Sequence, residues 1–179
     1  MDVEILPVKP DGLADLELLA KAICDDTALV SVMAANNETG VLQPIADIAA
    51  MCREHGAWFH TDAAQGFGKI PLDVGAQNID LLSISGHKVY GPKGIGALFV
   101  RRRPRIRLEP LFFGGGQERG IRSGTLPAPL CIGLGAAAAV AAADMESDGE
   151  RLAALRDRFL SRIRASLPDV QVNGSMHRR

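Results

Sequence analysis

The 179-residue sequence has little net charge: twenty Lys and Arg stand against twenty-one Asp and Glu, a formal −1. That balance argues against a dedicated nucleic-acid binder or a polybasic membrane anchor. Cysteine is scarce. Cys24, Cys52 and Cys131 are odd in number and widely spaced, which gives no disulfide framework and no CxxC metal site, and fits a reducing cytoplasm. No metal is expected. The opening MDVEILPVKPDG lacks the basic and apolar regions of a secretory signal. The longest small-apolar run, LCIGLGAAAAVAAA (130–143), is too short and alanine-rich for a membrane span and reads as a closely packed helix. Neither GxGxxG nor GxxxxGK[ST] follows the first strand, which weighs against a nucleotide-binding domain. RRRPRIR (101–107) reads as a solvated hairpin or strand end in preference to a phosphate-binding patch.

What is present is a globular composition, 47% hydrophobic and 23% charged, with strands and helices in alternation. DLELLAKAIC (15–24) has helical spacing and ALVSVMAA (28–35) is β-rich. Pro44 opens a second helix, IADIAAMCREHG, with Gly56 as its C-cap. AWFHTDAAQ (57–65), DLLSISG (80–86) and IGALFV (95–100) supply further strands. The alternation predicts right-handed crossovers and a mainly parallel sheet covered on both faces, an α/β three-layer αβα architecture. After Pro129 the alanine-rich helix runs, with one break near SDGE (147–150), into a charged helix that Pro168 stops, and VQV (170–172) starts another strand. The composition shift near residue 145 marks a domain boundary: 1–144 form a large domain, and 145–179 begin a small α+β one.

Ligands of open α/β sheets collect at the carboxyl ends of strands. NNETG (36–40), HTDAAQ (60–65) and SGHK (85–88) stand at three such ends. Asp62 offers a carboxylate, Gln65 an amide, Ser85 and His87 a hydroxyl and an imidazole, and Lys88 an amine that becomes nucleophilic if desolvated. A carboxylate, an amine and an anion cradle match the needs of pyridoxal 5′-phosphate: a partner for the pyridine nitrogen, a Schiff-base lysine and a phosphate grip. His60 reads as a satisfied core histidine, and Lys93, flanked by glycines, as solvated.

SGHKVYGPKGIGALFVRR, with HTDAAQGFGK upstream and GGGQERGIRSGT downstream, resembles the cysteine desulfurases, in the class V aminotransferase group of fold-type I pyridoxal-phosphate enzymes. The resemblance extends over essentially the whole chain. It implies that Lys88 is the Schiff-base lysine and proton carrier, Asp62 the partner of the pyridine nitrogen and Gln65 that of the phenolic oxygen. Ser85 and His87 resemble phosphate ligands. Asn37 resembles an asparagine beside the cofactor and the substrate carboxylate, and Thr125 a threonine that reaches the cofactor phosphate of the other subunit of a homodimer. It further implies a cytoplasmic enzyme that converts L-cysteine to L-alanine and passes sulfur, as a persulfide, to a sulfur acceptor or iron–sulfur scaffold. Members of this family are longer at both ends. The upstream phosphate-binding turn and ring-stacking histidine, and the downstream loop with the nucleophilic cysteine and carboxylate-binding arginine, are not in this sequence. The chain is therefore expected to be a central fragment, inactive alone and exposing apolar surface. Other readings are a selenocysteine lyase and a non-catalytic dimerising or partner-binding remnant.

Overall fold

The computed structural model describes residues 2–179. Asp15 opens the first helix, α1 (Leu16–Ala22), by accepting from the N–H groups of Glu17 and Leu18 at 3.0 and 3.2 Å, donors the first turn otherwise leaves free. Cys24 falls just beyond this helix, not on it. The second helix, α2 (Ile45–Glu54), begins behind Pro44 and ends at His55, where Gly56 takes a left-handed φ of +71°. That is the glycine C-cap read from the sequence. Ile45, Ile48, Ala49 and Cys52 are the buried positions of α2, and their spacing sets them along one stripe of the helix.

Four strands form one sheet in sequence order: β1 (Leu29–Ser31), β2 (Trp58–Asp62), β3 (Leu81–Ser85) and β4 (Gly96–Val100). The first three are parallel, while β4 runs antiparallel to β3. The connection 86–95 explains the reversal, because about ten residues are too few for a parallel crossover. Only the β1–β2 crossover carries a helix. Residues 63–80 return to β3 through successive turns, where the strand alternation implied another helix.

The register sorts the side chains into two faces. Val30, Phe59, Leu82 and Ile84 pack with Leu19 and Ile23 near α1 and with Ile45, Ile48 and Cys52 of α2. The opposite face carries Ser31, His60, Asp62 and Ser83 between Leu29 and Leu98, each 49% exposed. Helices on both faces were expected. The described residues pack α1 and α2 on one face only, so the αβα domain is incomplete. Apolar exposure continues outside the sheet at Leu111 and Phe113, which are 86% and 87% exposed.

A third helix, α3, spans Ala128–Ser166 without interruption. The break expected at 147–150 is absent: Ser147 Oγ donates to the Asp144 carbonyl at 3.0 Å, and Arg151 pairs with Asp148 at 2.8 Å, which holds the turn around Gly149 together. One 18-residue window of the helix has a mean hydropathy of 1.6, apolar enough to cross a membrane by length and composition. None of the helix's residues is buried, so the close packing expected of the run 130–143 is confined to a few contacts. A Cβ on Gly133 would stand 2.6 Å from Pro92, and Ala137 and Ala141 face Gly91 and Gly68. Pro168 follows the helix end as expected, but 170–172 form no strand. Instead the tail returns to the turn after β1: Leu42 N–H donates to the Arg178 carbonyl at 2.8 Å, and Arg179 Nε donates to the Thr39 carbonyl at 2.9 Å.

Candidate active site

The parallel strands stay laced beyond their carboxyl ends. Ala34 N–H donates to the Asp62 carbonyl at 2.8 Å, and Ala63 N–H to the Ser83 carbonyl at 2.9 Å. Asp62 is thereby fixed between the chain leaving β1 and the end of β3. Its Oδ1 accepts from Ala64 N–H at 2.8 Å, and its Oδ2 has no partner among the described residues. After β1, Asn36 closes a turn by accepting from Glu38 N–H, Thr39 N–H and Thr39 Oγ1 at 3.0, 2.9 and 3.1 Å. This is the side-chain turn chemistry asparagine favours, and it leaves Asn37 exposed at the tip.

At the end of β3, Ser85 Oγ lies 3.0 Å from His87 Nδ1. The chain then winds through a short 3-10 helix, Gly86–Val89, closed by Tyr90 at φ +63°. Gly86 N–H donates to the Ile95 carbonyl and Gly91 N–H to the Gly86 carbonyl, both at 2.9 Å. Half-buried Lys88 rides on this helix, with no hydrogen bond or ion pair among the described residues. Lys93 is exposed in the following turn.

A second cation belongs to the cluster. Lys69 Nζ donates to Gln65 Oε1 at 3.2 Å. The side chain is exposed overall, but partial desolvation of the ammonium and the nearby charge of Lys88 hold its pKa below the ordinary 10.5. Sequence reasoning missed this residue, although its four-residue spacing from Gln65 was visible. His60 is satisfied on both sides, by Ser31 Oγ at 2.7 Å from Nδ1 and Ser83 Oγ at 3.2 Å from Nε2. Burial lowers its pKa, against a smaller opposing pull from Asp62.

The fold thus brings Asp62, Gln65, Ser85, His87 and Lys88 to the ends of two adjacent strands, with Asn37 on the neighbouring turn. Thr125 lies on another loop, exposed and without a hydrogen bond to that group. The donor set fits pyridoxal 5′-phosphate. One carboxylate oxygen, one amine and the Nε2 group of one amide are uncommitted among the described residues, and a hydroxyl–imidazole pair stands beside them. The cysteines are differently placed. Burial and the Asp80 charge push the Cys52 thiol up to about 11. Cys24 is exposed, its Sγ 3.6 Å from Thr27 Oγ1, and Cys131 is half-buried on α3.

A family model described as aminotransferase class-V matches residues 1–179. Cysteine desulfurase IscS of Rickettsia rickettsii (strain Iowa) is 59% identical over 177 residues, covering 99% of this chain and 43% of the relative. That of Rickettsia typhi (strain Wilmington) is 56% identical, with the same two coverages of 99% and 43%. Among solved structures, DndA from Streptomyces lividans superposes with a TM-score of 0.89 at 44% identity, over 97% of this chain and 49% of that one. SspA in complex with cysteine gives 0.73 at 52% identity, over 76% and 40%. The chain spans less than half the length of the curated relatives it matches.

Proposed function

Because this chain belongs to the class-V aminotransferase family, in its cysteine desulfurase group, we propose that it forms the cofactor-binding part of an enzyme that takes sulfur from L-cysteine and leaves L-alanine. The observation that carries this reading is the pair Asp62 and Lys88, at the ends of adjacent parallel strands and neither in an ion pair among the described residues. When bound, pyridoxal 5′-phosphate supplies an aldehyde and a ring that accepts electrons from a substrate. Lys88 anchors it and then moves a proton at the substrate α-carbon. Asp62 accepts, through its free oxygen, from the protonated ring nitrogen and keeps that proton in place. Gln65 donates to the phenolic oxygen, Ser85 and His87 hold the phosphate, and Asn37 lies against the cofactor and the substrate carboxylate. Thr125 completes the phosphate site of a second copy, which makes the working form a homodimer.

Residues 145–179 open a second, smaller domain, and the protein is soluble and cytoplasmic. None of the three cysteines serves as the sulfur-carrying thiolate, since Cys52 is buried with its pKa raised to about 11 and neither Cys24 nor Cys131 has a cation paired with it among the described residues. A thiolate from elsewhere takes the sulfur and passes it to an iron–sulfur scaffold or another acceptor, so these residues alone do not turn over. That arrangement of cysteines also favours a second reading, a chain that binds the cofactor and a partner without catalysis.

Absorbance of the purified chain mixed with pyridoxal phosphate tests the site. A near-visible band is expected, borohydride then traps the cofactor on the peptide carrying Lys88, and Lys88→Ala abolishes the band. Trapping on Lys93, or on no lysine, sinks the assignment. Sulfide release from L-cysteine under reducing conditions separates the two readings: none is expected from this chain alone under either, and adding a desulfurase segment with a nucleophilic cysteine restores it only under the first.

A further inference from the structure

We propose that Lys69 is a positioning residue of this site, whose ammonium fixes the amide of Gln65 in the one orientation that leaves its N–H groups for an acceptor outside the chain. The inference rests on the reading of Gln65 given above. An amide can turn either end toward a neighbour, and shape alone hardly distinguishes oxygen from nitrogen. An ammonium group has three donors and no acceptor, so it bonds only the oxygen. Lys69 Nζ sits 3.2 Å from Gln65 Oε1. The opposite orientation would set the amide N–H groups against the ammonium. Gln65 Nε2 has no partner among the described residues, so both its hydrogens remain for a bound oxygen.

The groups facing Lys69 agree with this role. Gln65 reaches it from the same turn. The nearby charge of Lys88, on the 3-10 helix, also bears on it. A groove of about 660 Å³ between this region and α3 is lined by Lys69 together with Tyr90, Asp144 and Asp148. Asp148 is already paired with Arg151 at 2.8 Å, and no ion pair joins Lys69 to either aspartate among the described residues. The hydrogen bond to Gln65 is therefore the contact that sets where the Lys69 ammonium sits.

The test is a double-mutant cycle read by absorbance, on the full chain with pyridoxal phosphate. Lys69→Met is expected to raise the cofactor dissociation constant about fivefold and to move the pH midpoint of the near-visible band. Lys69→Arg, which keeps both donor and charge, returns both values to within about twofold of the parent. Lys69→Met removes a charge as well as a donor, so Gln65→Ala separates the two. In the Gln65→Ala background, Lys69→Met is expected to change the dissociation constant little further. Equal effects with and without Gln65, or an unmoved midpoint, overturn the proposal. Lys69 is exposed and Gln65 half-buried, and neither belongs to the hydrophobic core, so these variants leave the core untouched. If the parent chain forms no band on Lys88, the cofactor reading fails and this inference falls with it. If the band forms but the cycle is additive, only the role of Lys69 fails.

Discussion

His60 uses both ring nitrogens inside the sheet, and burial holds its pKa below the ordinary 6.5. The unfolded chain takes up a proton near 6.5, while the folded chain resists until a lower pH. This contribution to stability is therefore complete above 6.5 and lost as the pH falls through the lowered folded value. Urea unfolding at about pH 7.5 and about pH 5.5 is expected to give the smaller stability at the lower pH. His60→Gln, which stays neutral throughout, flattens the difference; an undiminished dependence in that variant counts against the argument. The sequence already marked His60 as a satisfied residue through the alternation of its strand. It did not reveal the partners, because Ser31 and Ser83 are 29 and 23 residues away and strand register is absent from local sequence. The strand-end positions of Asp62, Ser85 and Lys88 were legible, since each follows a short apolar run. The proximity of the Lys88 charge to Lys69 was not, because the two residues lie on separate segments of the chain.

The 3-10 helix that carries Lys88 depends on a missing side chain. A Cβ on Gly86 would stand 2.7 Å from Ile95 Cγ2 and 3.0 Å from the Pro92 and Ile95 carbonyl oxygens. Gly86→Ala is therefore expected to cost about 1–3 kcal/mol and to weaken formation of the Lys88 band, with thermal melting and absorbance as the two readouts. A stable variant with normal cofactor capture would show that the close packing does not hold this segment. Other elements were legible to differing degrees. Helix α2 follows its sequence signals closely, with Pro44 before it, an apolar stripe within it and Gly56 after it. The direction of β4 was hidden, being decided by the short connection and not by the composition of the strand. Gly149 looked like a helix break, yet an internal glycine costs only about 1 kcal/mol, and the neighbouring turns outweigh it.

The sheet has a working end and a foundation. Away from the candidate site, Asp80 accepts from Phe59 N–H at 3.0 Å and lies 2.9 Å from Arg101 Nε. Arg101 Nη2 also donates to the Val74 and Ile79 carbonyls, each at 2.8 Å. The Asp80–Arg101 pair thus ties together β2, the turns before β3 and the end of β4. RRRPRIR read as a solvated run, but Arg101 does not fit that reading: its side chain is 17% exposed, and that of Asp80 13%. Arg101→Met leaves that carboxylate shielded and unpaired and is expected to cost about 3 kcal/mol, measured as a drop in the urea midpoint. Cofactor capture by the variant, assayed at low temperature where it stays folded, is expected to match the parent. A loss of capture without a loss of stability would mean that the two ends of the sheet are not independent.

The tail described above has a temporal consequence. Thr39, in the turn that holds Asn37, finds its partner Arg179 140 residues later in the chain. Protein synthesis proceeds from the N-terminus, so β1 and its turn emerge long before residue 179 does. Asn36 closes the turn through local bonds, but its outer side is sealed only once residues 178 and 179 have been made.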